Sequence, residues 1–355
     1  MTYKIGFCCK WIDPTPPSNK KDAQLIVSKF NQRSTTLTHL RTMNQQEQFE
    51  KCWEIVQHNL DTLWRQLTWL STQPIATRLF RITSGFLPAS TLAEFSHFLE
   101  SEQLDTLLRE RLHGVRWFAD THHIRLCMHP GQFTNLCSPD GDIVKRAIED
   151  IEYHAKLALY MGYGDNWHSS GFAINIHANA NQDPKLTQIR HVIRTELSNH
   201  ARNLITLEND EFSCSVDQFV NAGVHEDVAL ILDLHHHWIQ SKGEHIGPQD
   251  PRAIAFRSSW RGMRALGHYS LPDSSLLVDL PGYSTGMRSD YQALVKLPGI
   301  SSTKLRSHSF DCWNTDTNDW ALEHLPFMDI EVEAKGKNIA SRQLYEQAKL
   351  KQIVG

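Results

Sequence analysis

FAINIHANANQDPKLTQIRHVIRTELSNHARNLITLEND, spanning Phe172–Asp210, is the stretch that decides the fold. It opens and closes on short apolar runs, Phe172–His177 and Asn203–Glu208. Between them, Gln188–Arg202 repeats apolar residues at helical period. Strand, helix and strand in that order mark a parallel βαβ unit. Both runs also end on a side chain that can ligate a metal, His177 in the first and Glu208 in the second.

The pattern extends in both directions. Further β-like runs lie at Tyr3–Cys9, Thr77–Thr83, His123–Met128, Val228–Asp233, Thr303–His308 and Phe327–Glu333, which brings the total to eight. Helical stretches separate several of them. Gln45–Leu70 sets Phe49, Cys52, Trp53, Val56, Leu60, Leu63, Trp64 and Leu67 three or four apart. Leu92–Phe118 and Ile143–Met161 behave similarly, and Pro and Gly punctuate most junctions. Eight strands with intervening helices predict a (β/α)8 TIM barrel, ahead of a doubly wound open sheet. The chain, 1–355, reads as one barrel domain. The long segment Gly243–Ser302 carries one predicted helix, Pro251–Leu266, and an expected insertion over the mouth around 268–300.

Metal-competent residues recur where these strands end. His129 follows the third run, His177 ends the fourth and Glu208 the fifth. Asp233 and His236 close the sixth, His308 ends the seventh and Glu333 the eighth. In a TIM barrel those ends converge on one face, where the active site sits. A single His or Glu at a strand end is usually a solvated loop residue, but recurrence on six successive strands is not explained that way. Imidazole mixed with carboxylate suits manganese, zinc or iron, whereas magnesium and calcium prefer oxygen shells. Seven ligands exceed what one ion needs, so a centre of two or three divalent ions is expected. Such centres activate water and hold a phosphate for in-line attack.

Composition narrows the field. With 40% hydrophobic residues the chain can bury a sizeable core, and 21% charged residues leave a net charge of only −4. That balance does not predict a phosphate-reading surface, although bound cations would supply the missing positive charge. Seven cysteines without a CxxC pair argue against a disulfide framework and for a reducing, cytoplasmic setting. Adjacent Cys8 and Cys9 read as buried thiols. No stretch is apolar enough to span a bilayer, and the first ten residues lack the layout of a signal peptide. The count of 20 histidines gains meaning from the strand-end positions just described.

Several blocks together resemble the UV-damage endonucleases. They are IGFCC (Ile5–Cys9), RITSGFLP (Arg81–Pro88), HPGQFTNLCSP (His129–Pro139) and YHAKLALYMG (Tyr153–Gly162). INIHAN, LITLENDE, LDLHHHW, RSHS and DIEVEAKGK follow in the family's order. The resemblance implies an endonuclease IV-like barrel that cuts damaged duplex DNA on the 5′ side of a lesion, using a multinuclear centre, with Mn²⁺ expected and Zn²⁺ or Fe²⁺ as alternatives. It implies Glu208 as the bridging carboxylate, Asp233, His308 and Glu333 completing one site, His129 and His177 the second, and His236 in a third. Glu208, Glu333, Asp233 and His308 carry catalysis in this reading. The lesion wedge falls on Gln132 and Phe133, with Phe7 at the N-terminal aromatic position or packed in the barrel, and Arg81 and Ser84 are read as phosphate contacts.

Two departures from the family pattern stand out. The second histidine expected after the strand-seven motif is missing from TNDW, where Thr317 and Asp319 stand, so Asp311 or Asp319 is the candidate replacement. Arg306 occupies the position of a lysine that can be carboxylated. The competing readings are a xylose-isomerase-like sugar isomerase on the same cup, an oxidative iron enzyme, and a distortion-binding protein with a decayed centre. A monomer acting in the cytoplasm, at the bacterial nucleoid during repair, is the expected setting.

Overall fold

The computed structural model describes residues 3–354, apart from 91, 132–133, 184 and 275–289. Eight parallel strands close into a barrel in sequence order, with β8 returning to pair with β1. The strands are β1 Ile5–Cys8, β2 Leu79–Ile82, β3 Arg125–Met128, β4 Ala173–His177, β5 Ile205–Glu208, β6 Ala229–Asp233, β7 Ala265–Tyr269 and β8 Met328–Val332. The predicted TIM barrel is therefore the observed fold. Strands of four or five residues, buried nearly throughout, are what a sheet covered on both faces requires.

The helices pack outside this wall. Gln45–Ser71 begins with a reciprocal capping box in which Asn44 and Glu47 satisfy each other's backbone N–H groups. Its stripe of Cys52, Val56, Leu60, Leu63 and Leu67 is buried. Gly141–Met161 matches the predicted helix closely. Leu92–Phe118 divides instead into shorter pieces, among them Glu102–Leu112 and Val115–Thr121, because Gly114 adopts φ +84° between them. Gln188–Arg202 likewise splits into Thr187–Thr195 and Asn199–Leu204.

Strand seven is where the sequence expectation fails. Thr303–His308 is not a strand: Ser302–Leu305 is a single helical turn capped by Ser301, and His308 lies beyond it in an isolated bridge to Pro272. The true β7, ALGHY, lies at the end of the predicted helix Pro251–Leu266, which stops at Ser258. Arg261 (φ +51°) and Gly262 (φ +87°) then turn the chain back into the barrel. Gly267 is required inside β7, since a Cβ there would come within 2.5 Å of Met328 and 2.9 Å of the Leu232 carbonyl. The first two residues of the expected insertion, His268 and Tyr269, therefore belong to the barrel, and much of the remainder lies outside the described residues.

Register sets what meets inside. His177 pairs with Glu208 across β4 and β5, Asp233 with His268 across β6 and β7, and His268 with Glu331 across β7 and β8. At the opposite end of the barrel, buried Asp329 takes Arg125 at 2.9 Å and Arg264 at 2.6 Å. Asp329 at that end is therefore neutralised by two arginines.

Candidate metal centre

Glu208 stands at the centre of the mouth, fully buried at the end of β5. Two sets of potential ligands share it. In one, Glu208 joins His129 and His177; in the other it joins Asp233, His268 and Glu333. Within each set one ligand atom per residue lies within 4.8 Å of the others. His129 Nε2 is 3.5 Å from Glu208 Oε2, and His268 Nδ1 is 2.9 Å from Oε1. The Asn175 amide also donates to Glu208 Oε2, and its own carbonyl accepts the Thr206 hydroxyl at 3.0 Å.

The surrounding contacts fix ring orientation. His129 Nδ1–H donates to the Pro130 carbonyl and His308 Nδ1–H to the Glu333 carbonyl, each at 2.7 Å, which leaves both Nε2 atoms as lone-pair donors. Asp233 caps the helix Leu234–Gln240 by accepting the His236 N–H at 2.6 Å, and Asn209 grips its backbone from both sides, at 2.9 and 3.0 Å. His236 reaches Glu208 with Nδ1 at 3.4 Å and Glu211 with Nε2 at 3.5 Å. Its ring centroid lies 5.6 Å from that of His177 and 6.4 Å from that of His308.

The electrostatics ask for positive charge. Burial pushes Asp233 up to about 7, and the neighbouring Glu208 and Glu333 add to this against the pull of His236. For Glu208, burial is opposed and outweighed by the histidines that face it, His268 and His177 first and then His129 and His236, so its carboxyl lies well below the usual range. Burial would lower His268, yet Glu208 and Glu333 raise it to about 9. Three carboxylates packed this closely favour cations among them, as Arg81 beside Glu333 already illustrates. Among the described residues, Asp233 Oδ2 and His177 Nδ1 are buried without a hydrogen-bond partner. Unsatisfied buried donor atoms beside a shared carboxylate fit divalent ions, and the mixed nitrogen and oxygen set fits manganese, zinc or iron.

Five of the predicted ligands, His129, His177, Glu208, Asp233 and Glu333, thus come together, with His236 in direct contact and His308 at the edge. The sequence reading missed His268, which belongs to the second set. Its signal was a short run ending on a metal-competent residue between turn-forming Gly262 and Pro272, obscured because Gly267 weakens the β pattern. With β7 correctly placed, His308 lies after strand seven rather than at its end. Asp319 sits on the outer helix Thr315–His324, bound to Gln347 at 2.6 Å and Lys351 at 2.7 Å, and is no substitute ligand. The residue two before the strand-seven histidine is Leu266. Arg306 instead lies with its guanidinium 3.8 Å from the Phe212 ring centroid.

Two expected DNA contacts are corrected. Phe7 is buried on the outer face of the barrel wall, its ring 5.1 Å from Phe80 and 6.0 Å from Trp69, so it packs the core. Arg81 points inward, where Nε meets Glu331 at 2.5 Å while Nη2 contacts Glu333 and approaches His268 Nε2 at 3.1 Å. It therefore positions carboxylates rather than reading a phosphate. Ser84 follows β2 in a half-buried turn at the mouth. Gln132 and Phe133 lie outside the described residues. All seven cysteines are free, with Cys8 buried and Cys9 half-buried, and no helix among the described residues is long and apolar enough to cross a membrane.

Comparison with known proteins extends this picture. The family described as UV-endonuclease UvdE matches residues 21–355. The UV-damage endonuclease of Schizosaccharomyces pombe is 27% identical over 276 residues, 76% of this chain and 40% of that protein. The UV DNA damage endonuclease of Bacillus anthracis is 27% identical over 208 residues, 58% of this chain and 62% of that protein. The chain thus spans less than two thirds of the length of these relatives. The crystal structure of SacUVDE matches with a TM-score of 0.68 at 21% identity, covering 99% of both chains.

Proposed function

The chain belongs to the UV-endonuclease family, and from that premise we propose that it is a metal-dependent DNA repair endonuclease. It nicks the phosphodiester backbone immediately 5′ to UV photoproducts or other distorting lesions. The observation that carries this reading is Glu208, shared between the His129–His177 set and the Asp233–His268–Glu333 set at the mouth of the barrel. Two or three divalent ions held there, Mn²⁺ foremost and Zn²⁺ or Fe²⁺ as alternatives, would polarise the phosphate and activate the attacking water.

The chain's own residues do the positioning. Glu208 joins the two sets, and Asn175 holds its carboxylate in place. His129 and His308, tied at Nδ1, present Nε2 in a fixed tautomer. Arg81 and His268 orient Glu333. His236, between Glu208 and Glu211, lies where the third ligand group is expected. Gln132 and Phe133 are assigned as the lesion wedge, and next to them in sequence the Thr134 hydroxyl donates to Asp150 at 2.6 Å. Ser84, on the turn after β2, contributes a backbone contact. Flipping a weakened pair costs only a few kcal/mol, so distortion itself selects the site. The protein acts as a monomer on duplex DNA in the cytoplasm, at the nucleoid.

Metal-stripped protein, reloaded separately with Mn²⁺, Zn²⁺ or Fe²⁺, tests this on duplexes carrying one cyclobutane dimer or one abasic site, with aldoses in parallel. Nicking restored by metal supports the reading. Intact DNA under every condition, or turnover of an aldose, refutes it.

A further inference from the structure

Four residues beyond Glu208, the loop leaving β5 displays Phe212 with 64% of its surface exposed. The display is built rather than slack. Buried Asp210 accepts the N–H groups of Phe212 at 2.8 Å and Cys214 at 3.3 Å, and that of Ser213 as well, while its own N–H donates to the Cys214 carbonyl at 3.0 Å. Ser213 in turn accepts the Ala180 N–H at 3.2 Å, which ties the turn to the exit of β4. Over the ring lies Arg306, its guanidinium carbon 3.8 Å from the centroid and without a carboxylate at ion-pair distance among the described residues.

The stack borders the candidate centre on both sides. Glu211, adjacent to Phe212, is 3.5 Å from His236 Nε2, and His308 follows Arg306 by two residues. A rigidly presented aromatic face beside a guanidinium with no carboxylate partner among the described residues is the chemistry that holds a nucleic-acid strand, the ring against a base and the cation against a phosphate. We propose that Phe212 and Arg306 form a strand-binding platform for opened DNA on the His236–His308 side of the mouth. This rests on the nuclease reading and assigns that reading a second contact, on a different loop from Gln132 and Phe133.

The test measures binding apart from chemistry. Fluorescence anisotropy of a labelled lesion duplex whose phosphodiester 5′ to the lesion is replaced by a non-hydrolysable linkage, with the metal-loaded protein, compares wild type with Phe212→Ala, Phe212→Trp and Arg306→Gln. Phe212→Ala should raise Kd about tenfold and Phe212→Trp should restore it. Arg306→Gln should lower the slope of log Kd against log salt by about one. The protein concentration needed for half-maximal single-turnover nicking should rise in step with Kd for Phe212→Ala and return toward wild type for Phe212→Trp. If wild type nicks the duplex and the variants bind it equally well with an unchanged salt slope, the platform is refuted and the nuclease reading stands. If wild type neither binds nor nicks any duplex, both fall.

Discussion

Replacing Arg81 with Met separates two roles for a residue that the sequence suggested as a phosphate contact. In the structure Arg81 is buried between Glu331, at 2.5 Å, and Glu333. Without it, Glu333 still has His268 at 3.5 Å, but fully buried Glu331 keeps, among the described residues, only the Cys127 thiol at 3.0 Å and His268 at 3.9 Å. Breaking a buried pair costs about 3–5 kcal/mol. Urea melts of both proteins at pH 7 should therefore show a deficit of about 3–5 kcal/mol. A deficit under about 0.5 kcal/mol, combined with weakened DNA binding, would show that Arg81 faces phosphate and that the positioning role is wrong.

Other consequences follow from particular contacts. His268→Ala removes a ligand from the set holding Glu208, Asp233 and Glu333; bound metal, measured by elemental analysis, and nicking should each drop at least as far as the ~10–100-fold that loss of a supporting residue costs. Asp319→Asn should leave nicking within about twofold of wild type, because Asp319 serves Gln347 and Lys351 on the outer layer; a hundredfold loss would restore it as a ligand. Burial holds His168 neutral to about 3 and His324 to about 4. The unfolded chain protonates both near pH 6.5, so the stability they supply above that pH is lost as acid is added, by about 2 kcal/mol each at pH 5. Chemical denaturation should show this, and His168→Gln should remove about half of the sensitivity; an unchanged acid response in that variant counts against the assignment.

The barrel was legible because strands buried on both faces leave short continuous apolar runs, and seven of the eight fell where the runs predicted. The candidate ligands were legible for a related reason: parallel strands all point the same way, so their C-terminal residues share one mouth. Strand seven was not. Gly267, needed to admit Met328, interrupts the β pattern of ALGHY, while TKLRSH looks extended but is turned by the Ser301 cap. His268 was lost with its strand, and His308 was assigned to a strand end that it reaches from a connecting segment. Phe7 and Arg81 show a second limit. One residue of register decides whether a strand side chain faces the core, the helices or the mouth, and the sequence alone did not resolve which.

The most direct measurement is the position of the nick. A duplex labelled at one end and carrying a single cyclobutane dimer is incubated with Mn²⁺ and the protein, and the product is sized at nucleotide resolution beside Glu208→Gln. The account predicts one cut immediately 5′ to the dimer, abolished by EDTA and by loss of the shared carboxylate. Cleavage that persists in Glu208→Gln, or a dimer duplex left intact by the wild type, would contradict it.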